Sequence, residues 1–143
     1  MFKVYVTIPD DFDKKLKKYM SKFGKKYDFK FIYYSHDDDW TYDIIENEIA
    51  SSDCYLAIAS KITFDASTWR HIEITYAAGL CLSGCSSNTE LINPKTIFIF
   101  PLDDKWETYT TKTVPNKIIL SSNIKKALLE LKNTLYKLFP DKV

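Results

Sequence analysis

Strand-like and helix-like segments alternate from one end of the chain to the other, and no other feature constrains the fold as strongly. Segments such as FKVYVTI and CYLAIAS are rich in β-branched and aromatic residues, which predicts strands. The segments between them repeat apolar residues at helical spacing, which predicts helices. Alternation with short connections predicts an α/β fold of three layers, with a mainly parallel five-stranded sheet between helices. We expect the flavodoxin-like strand order 2-1-3-4-5.

The predicted elements fall into a single domain that covers residues 1–143. Strands are predicted over residues 2–8, 29–35, 54–60, 96–101 and 117–120. Helices are predicted over 11–24, 41–52 and 67–83, and the apolar spacing of the first continues one turn further, to Tyr27. A last helix is predicted from Ser122 or Asn123 to just before Pro140. Residues 103–115 show no clear period, so no element is predicted there. Because ligands of such folds bind beyond the carboxyl ends of the strands, we expect a site built from the loops at 9–13, 35–40 and 60–69.

Charge and hydropathy argue against several classes of partner. The formal net charge is +1, which gives no electrostatic reason to expect a nucleic acid or an anionic membrane. The lysines of the first predicted helix are interpreted as a solvated face. No apolar run approaches the roughly 20 residues of a membrane-spanning helix, and the first residues, MFKVYVTIPDD, do not resemble a secretory signal. Together with an odd number of cysteines, three, these features predict a cytoplasmic protein.

The sequence does not predict a metal site. Cys81 and Cys85 are one helical turn apart, but His36 and His71 do not complete a zinc motif with them. The acidic triplet at 37–39 lacks the spacing of a calcium-binding loop and is interpreted as a solvated loop. The phosphate-binding, zinc-protease and serine-hydrolase signatures GxGxxG, GxxxxGK[ST], HExxH and GxSxG are also absent from the sequence.

Glu73 is the candidate for chemistry, because it falls within the apolar face of a predicted helix. That face is formed by Trp69, Ile72, Tyr76 and Leu80. A carboxylate removed from water is costly unless it is paired, so its presence there calls for a reason. One interpretation places Glu73 at the edge of the face, in contact with solvent or paired with Arg70 or another cation. The other makes it an active-site carboxylate near the strand ends, where the fold binds ligands.

The stretch SSDCYLAIASKITFDASTWRHIEITYAAG resembles the central motif of TIR domains. In that motif a Ser-Asp pair precedes an apolar strand, a serine-rich loop follows, and a tryptophan stands four residues before a glutamate. Trp69 and Glu73 have this spacing, and KTIFIFPLDD resembles the next strand and its exit loop. The element order agrees over nearly the whole chain. The likeness is closest to the compact TIR-like proteins of bacterial antiphage systems of the Thoeris type.

The resemblance implies an NAD-consuming enzyme that cleaves the nicotinamide–ribose bond to an ADP-ribose-type product, cyclic or linear, in bacterial immune signalling. NAD would be the substrate, and no metal is implied. Glu73 would be the catalytic residue. The partners implied are NAD or a related nucleotide, further copies of the chain, or a separate sensor or effector protein. The residues that would bind the cofactor are Ile8, Pro9, Asp10, Ser35, His36, Trp40, Ser60, Thr63 and Trp69.

Two alternatives stay open. The segment from Glu73 to Gly79 also resembles the Glu-x-Gly-Tyr-Ala segment of nucleoside 2-deoxyribosyltransferases, although Thr75 stands in place of the glycine. In that family Glu73 would be the nucleophile and would form a covalent deoxyribosyl ester. The other alternative is a non-catalytic TIR module that joins signalling proteins through its surface.

Overall fold

Five strands form one parallel sheet, and the order of the strands is the one expected from the sequence. In a computed structural model, residues 1–9, 13–34, 40–65, 68–79 and 93–143 are described. The strands run in the order β2-β1-β3-β4-β5, and every neighbouring pair is parallel. Their bounds are β1 Phe2–Thr7, β2 Phe29–Ile32, β3 Cys54–Ala59, β4 Ile97–Pro101 and β5 Lys117–Ile119. The predicted α/β class and flavodoxin-like order 2-1-3-4-5 are confirmed.

Helices cover both faces of this sheet. They are α1 Lys14–Tyr27, α2 Tyr42–Ala50, α3 Lys61–Asp65, α4 Thr68–Ala77, α5 Tyr109–Thr113 and α6 Ile124–Leu138, followed by a 3-10 turn at Pro140–Lys142. One core lies between the sheet and helices α1 and α6, and the other lies between the sheet and helices α2 and α4. Strand β3 contributes alternate side chains to both cores, which explains why its sequence is apolar throughout.

Helix α1 begins at Lys14, three residues after the predicted start, and ends at Tyr27, one turn beyond Gly24 and at the last residue of the apolar spacing. It begins after Asp13, whose carboxylate accepts a hydrogen bond from the backbone N–H of Lys15 at 2.8 Å. Gly24 does not end the helix. A Cβ at Gly24 would lie 2.5 Å from the carbonyl oxygen of Phe29, so glycine lets the helix pass close to strand β2. The helix ends instead at Asp28, whose backbone is left-handed with φ 60°.

Two short helices, α3 and α5, were not predicted. Each has five residues, too few to show a helical period in the sequence. Helix α5 begins with a capping box, in which the side chains of Thr108 and Thr111 each accept a hydrogen bond from the other's backbone N–H. Helix α4 ends at Ala77, before the predicted end at 83, and Gly79 follows it with φ 74°. The residues from 80 to 92 lie outside the described ranges.

Within the described ranges, none of the helices has both the length and the apolar character needed to cross a membrane. Cys54 is a buried thiol in strand β3, whereas Cys81 and Cys85 fall outside the part of the chain that the structure describes.

Candidate active site

Glu73 lies in the second turn of helix α4, with its carboxylate buried against the carboxyl end of strand β1. Only 3% of the residue is exposed. The hydroxyl groups of Tyr5 and Thr7 both donate to the same carboxylate oxygen, Oε2, each at 3.1 Å. Both donors belong to β1, two residues apart, so the alternation of a strand places them on the same face of the sheet.

A second tyrosine extends this arrangement to strand β3. The hydroxyl of Tyr55 is in hydrogen-bond contact with Oγ1 of Thr7. Thr7 has one hydroxyl proton, and it donates that proton to Glu73, so it accepts the proton of Tyr55. The rings of Tyr5 and Tyr55 are stacked, with centroids 6.0 Å apart, because these residues are register partners on adjacent strands. Three hydroxyl groups are therefore ordered around one carboxylate.

Burial sets the protonation of this carboxylate. Removal from water raises the pKa of Glu73 to about 7, although the hydrogen bonds from Thr7 and Tyr5 and the charge of Arg70 oppose that rise. Burial and the charge of Glu73 also raise the pKa of Tyr5 and of Tyr55 well above the ordinary value. Both phenols consequently stay protonated and act as donors. Glu73 is poised to change its charge near neutral pH.

Arg70 connects helix α4 to the exit of strand β1. Its Nε donates to the carbonyl oxygen of Ile8 at 2.6 Å. Arg70 precedes Glu73 by one helical turn, and its positive charge lowers the pKa of both Glu73 and Tyr55. The sequence suggested Arg70 as a direct ion-pair partner of Glu73. In the structure its Nε donates to the backbone just beyond the strand, and its charge favours the ionised form of the Glu73 carboxylate.

Ser60 and Thr63, two of the predicted ligand contacts, are buried at the end of strand β3. Their hydroxyl groups are 2.8 Å apart, and Oγ1 of Thr63 also accepts from the backbone N–H of Ser60 and donates to the carbonyl of Ile58. These hydrogen bonds shape the turn between β3 and α3. A ligand contact by either residue stays a prediction.

The other predicted contacts are spread around the strand ends. Ile8 and Pro9 are buried directly beyond β1. Trp40 is half-buried and packs against the core beneath α2 and α4, with its ring 5.9 Å from that of Tyr34. Trp69 lies in the first turn of α4, and its side chain is outside the described part of the structure. Outside the described residues altogether are Asp10, Ser35, His36 and the acidic triplet at 37–39.

The apolar face of helix α4 is broader than the sequence suggested. Every residue from Glu73 to Ala78 is buried, whereas Ile72, a member of the predicted face, is only partly buried. The helix packs against strands β1 and β3 and also against α2 and α3, so more than one side is covered.

Among the described residues, there is no group of three or more histidine, cysteine, aspartate or glutamate side chains that could hold a metal ion.

Sequence reasoning missed Tyr5, Thr7 and Tyr55 as members of this site. One signal could have indicated them. Tyr5 and Thr7 interrupt an apolar strand with two hydroxyl groups at the period of one sheet face, and a buried hydroxyl requires a partner.

Comparison with protein-family models and with curated proteins gave no match. Among solved structures, this chain is similar to that of BcmB, a CMP N-glycosidase from Clostridium botulinum. The TM-score is 0.58 with 17% sequence identity, and the likeness covers 92% of this chain and 98% of that chain. The two chains share a fold.

Proposed function

We propose that this protein cleaves the N-glycosidic bond of a nucleotide, with Glu73 acting at the ribosyl carbon. The observation that carries the proposal is the buried carboxylate of Glu73, held by two hydroxyl donors at the carboxyl end of strand β1. This end of a doubly wound sheet is where such folds bind ligands. The shared fold with a protein described as a CMP N-glycosidase supports the same class of reaction.

The two oxygens of Glu73 have different roles in this proposal. Tyr5 and Thr7 both hold Oε2, and none of the hydrogen bonds among the described residues reaches Oε1. We therefore assign Oε1 to the substrate. When the bond between base and ribose breaks, the base leaves with the bonding electrons and positive charge develops on the ribosyl carbon. An anionic Oε1 stabilises that charge, or bonds to the carbon as an ester that water later hydrolyses.

The two donors matter because the carboxylate must be oriented and ionised at the same time. Burial favours the protonated form, while Tyr5 and Thr7 favour the anion. With the pKa of Glu73 at about 7, a substantial fraction is anionic at neutral pH. The low-polarity surroundings also strengthen the attraction between this anion and a developing cation.

Two substrate classes follow from two different observations. The shared fold with a CMP N-glycosidase favours a nucleoside 5′-monophosphate. The Trp69–Glu73 spacing, which resembles that of TIR domains, favours NAD. Nicotinamide leaves NAD as a neutral group, so that reaction needs no strong general acid. With NAD as substrate, the ADP-ribose-type product would be the signal in a bacterial immune response, and assembly with further copies or a partner would control its formation.

The test is to incubate the purified protein with NAD and, separately, with CMP and other nucleoside monophosphates, and to measure the released base by mass spectrometry. We expect one of these classes to be cleaved and Glu73→Gln to lose activity by about 10²-fold or more, mainly in kcat. Glu107→Gln is the matched control, because Glu107 is an exposed carboxylate in the segment before α5. Base release that is equally fast in wild type and Glu73→Gln would contradict the assignment.

A further inference from the structure

Tyr34 and Trp40 form a pair of aromatic rings beyond the carboxyl end of strand β2. Tyr34 is the second residue after the strand, and Trp40 stands two residues before helix α2. Their ring centroids are 5.9 Å apart, and the ring planes are tilted by 50°. Both residues are only partly buried, so part of the pair is accessible to a ligand. It lies at the end of the sheet where folds of this kind bind ligands.

The pair lies on the same face of the sheet as Glu73. Tyr34 and Trp40 both pack against the core that contains Tyr5, the residue whose hydroxyl donates to the Glu73 carboxylate. Tyr33, one residue earlier, faces the other way and packs against the core beneath α1 and α6. Two adjacent tyrosines therefore belong to different helical layers, and only the second shares a layer with the carboxylate.

Strand register places the pair beside the residues that hold Glu73. Strand β2 is the neighbour of β1, and Ile32 is the register partner of Tyr5. Tyr34 follows Ile32 by two residues, as Thr7 follows Tyr5. Neighbouring strands lie about 4.8 Å apart. The aromatic pair therefore borders the two hydroxyl donors of the carboxylate on their β2 side.

An N-glycoside has two parts, and each suits one side of this arrangement. The base is flat and aromatic, and it stacks on aromatic side chains whichever base it is. The ribosyl carbon next to it develops positive charge as the bond breaks, and that charge is stabilised by a carboxylate. A sugar phosphate without a base would make no use of the rings. Rings and carboxylate on one face of the sheet therefore favour a ligand in which an aromatic base is joined to a sugar.

We propose that Tyr34 and Trp40 form a wall against which the base of the substrate stacks, while Glu73 acts on the adjoining ribosyl carbon. This inference rests on the proposed function and specifies which part of the nucleotide each side of the site binds. Stacking holds the base both before and during cleavage of the bond. The two rings therefore act mainly on KM, whereas Glu73 acts mainly on kcat.

Substitutions at neighbouring residues separate this wall from a general effect on folding. Tyr34→Leu should raise KM for the cleaved nucleotide by about tenfold, with kcat changed by less than about threefold. Trp40→Leu should act in the same direction, and Trp40→Phe, which keeps an aromatic face, should restore most of the affinity. The matched control is Tyr33→Leu, which removes the same ring from an adjacent part-buried residue on the opposite face and should leave KM unchanged. Equal effects of Tyr33→Leu and Tyr34→Leu on KM would overturn the proposal.

A binding measurement tests the wall without any turnover. Full-length Glu73→Gln labelled with ¹⁵N is titrated with cytosine, with nicotinamide and, in a parallel experiment, with ribose 5-phosphate. The indole N–H resonance of Trp40, assigned by its loss in Trp40→Phe, is recorded. We expect at least one base to shift this resonance along a saturating curve and ribose 5-phosphate to leave it in place. Absence of a shift with both bases would refute the wall, whether or not wild type cleaves a nucleotide. A shift combined with no base release from any tested nucleotide would contradict the proposed function alone.

Discussion

Thr7 donates its single hydroxyl proton to Oε2 of Glu73 across 3.1 Å, which joins the last residue of strand β1 to the second turn of helix α4. That bond opposes the effect of burial on the carboxylate. The hydrogen bond makes the protonation of Glu73 depend on strand β1. A substitution at Thr7 can remove this bond while the shape of the side chain is kept.

Thr7→Val removes this donor while keeping the β-branched shape of the side chain. A hydrogen bond to a carboxylate stabilises its anion, so its loss should raise the pKa of Glu73 above its present value of about 7, by about one unit. The acid limb of the pH profile for base release should move upward by the same amount. Thr7→Ser keeps the hydroxyl and should leave the limb in place. A downward move in Thr7→Val would contradict the hydrogen-bond assignment.

Tyr5→Phe and Tyr55→Phe should differ in effect, because only Tyr5 touches Glu73 directly. Both changes keep the ring and its stacking. Loss of the Tyr5 hydroxyl should raise the pKa of Glu73 and reduce kcat, whereas loss of the Tyr55 hydroxyl leaves Thr7 as a donor and should act more weakly. The check is a pH–rate profile of each variant, supported by the ¹³C shift of the Glu73 carboxyl. An equal or larger effect of Tyr55→Phe would place the direct donor elsewhere.

Glu73→Gln should stabilise the protein at high pH. The folded-state pKa of about 7 is above the ordinary value of 4.5, so the folded state binds more protons than the unfolded state between these values. Stability contributed by protonated Glu73 is complete below pH 4.5 and is lost as pH rises through 7. Wild type and Glu73→Gln should therefore be similar at low pH, and above pH 7 the variant should be more stable by about 1–3 kcal/mol.

Urea unfolding of both proteins across this range measures the difference, and the comparison cancels the titration of all other groups. A constant difference between wild type and variant from acid to alkaline pH would mean that Glu73 titrates equally in the folded and unfolded states.

Gly24→Ala should destabilise the fold by about 1–3 kcal/mol, because the added Cβ would meet the carbonyl oxygen of Phe29 at 2.5 Å and the helix must move away. The intrinsic helix preference of alanine over glycine acts in the opposite direction and is smaller or comparable. Thermal unfolding gives the measurement. Ser21→Ala, at an exposed position of the same helix, is the control and should change stability little. Stabilisation by Gly24→Ala would show that α1 has room to shift.

Much of the fold could be predicted because each strand and each long helix carries its own pattern. The apolar run of β3 and the apolar face of α1, with lysines on its other faces, are local signals. The strand order follows from the rules that govern how helices connect parallel strands. Helices α3 and α5 have no such signal, because five residues are too few for apolar residues to recur at helical spacing. The sequence left two ends open for α1, at Gly24 and one turn further, because the packing role of Gly24 is revealed only by the neighbouring strand.

The candidate site divides in the same way. Glu73 could be found because a carboxylate within an apolar helical face is unusual, and the few residues around it are enough to show the pattern. Tyr5 and Thr7 could be recognised as buried hydroxyl residues, but their contact with Glu73 depends on how helix α4 packs against β1. The contact of Tyr55 with Thr7 depends on the register between β1 and β3. This register pairs residues about 50 positions apart, so no single segment of the sequence reveals it.

The carboxylate of Glu73 is held by side chains from the central strands of the sheet, not from its connecting segments, as far as the described residues show. In the described part of the chain, the hydrogen bonds to Glu73 come from Tyr5 and Thr7 of the buried strand β1, and Tyr55 of β3 contacts Thr7. Reactivity and selectivity are then separable modules. If the proposed function holds, segments beyond the strand ends could be exchanged, by evolution or by grafting, to admit a different nucleotide, while Tyr5, Thr7 and Tyr55 keep the Glu73 carboxylate in the same hydrogen bonds.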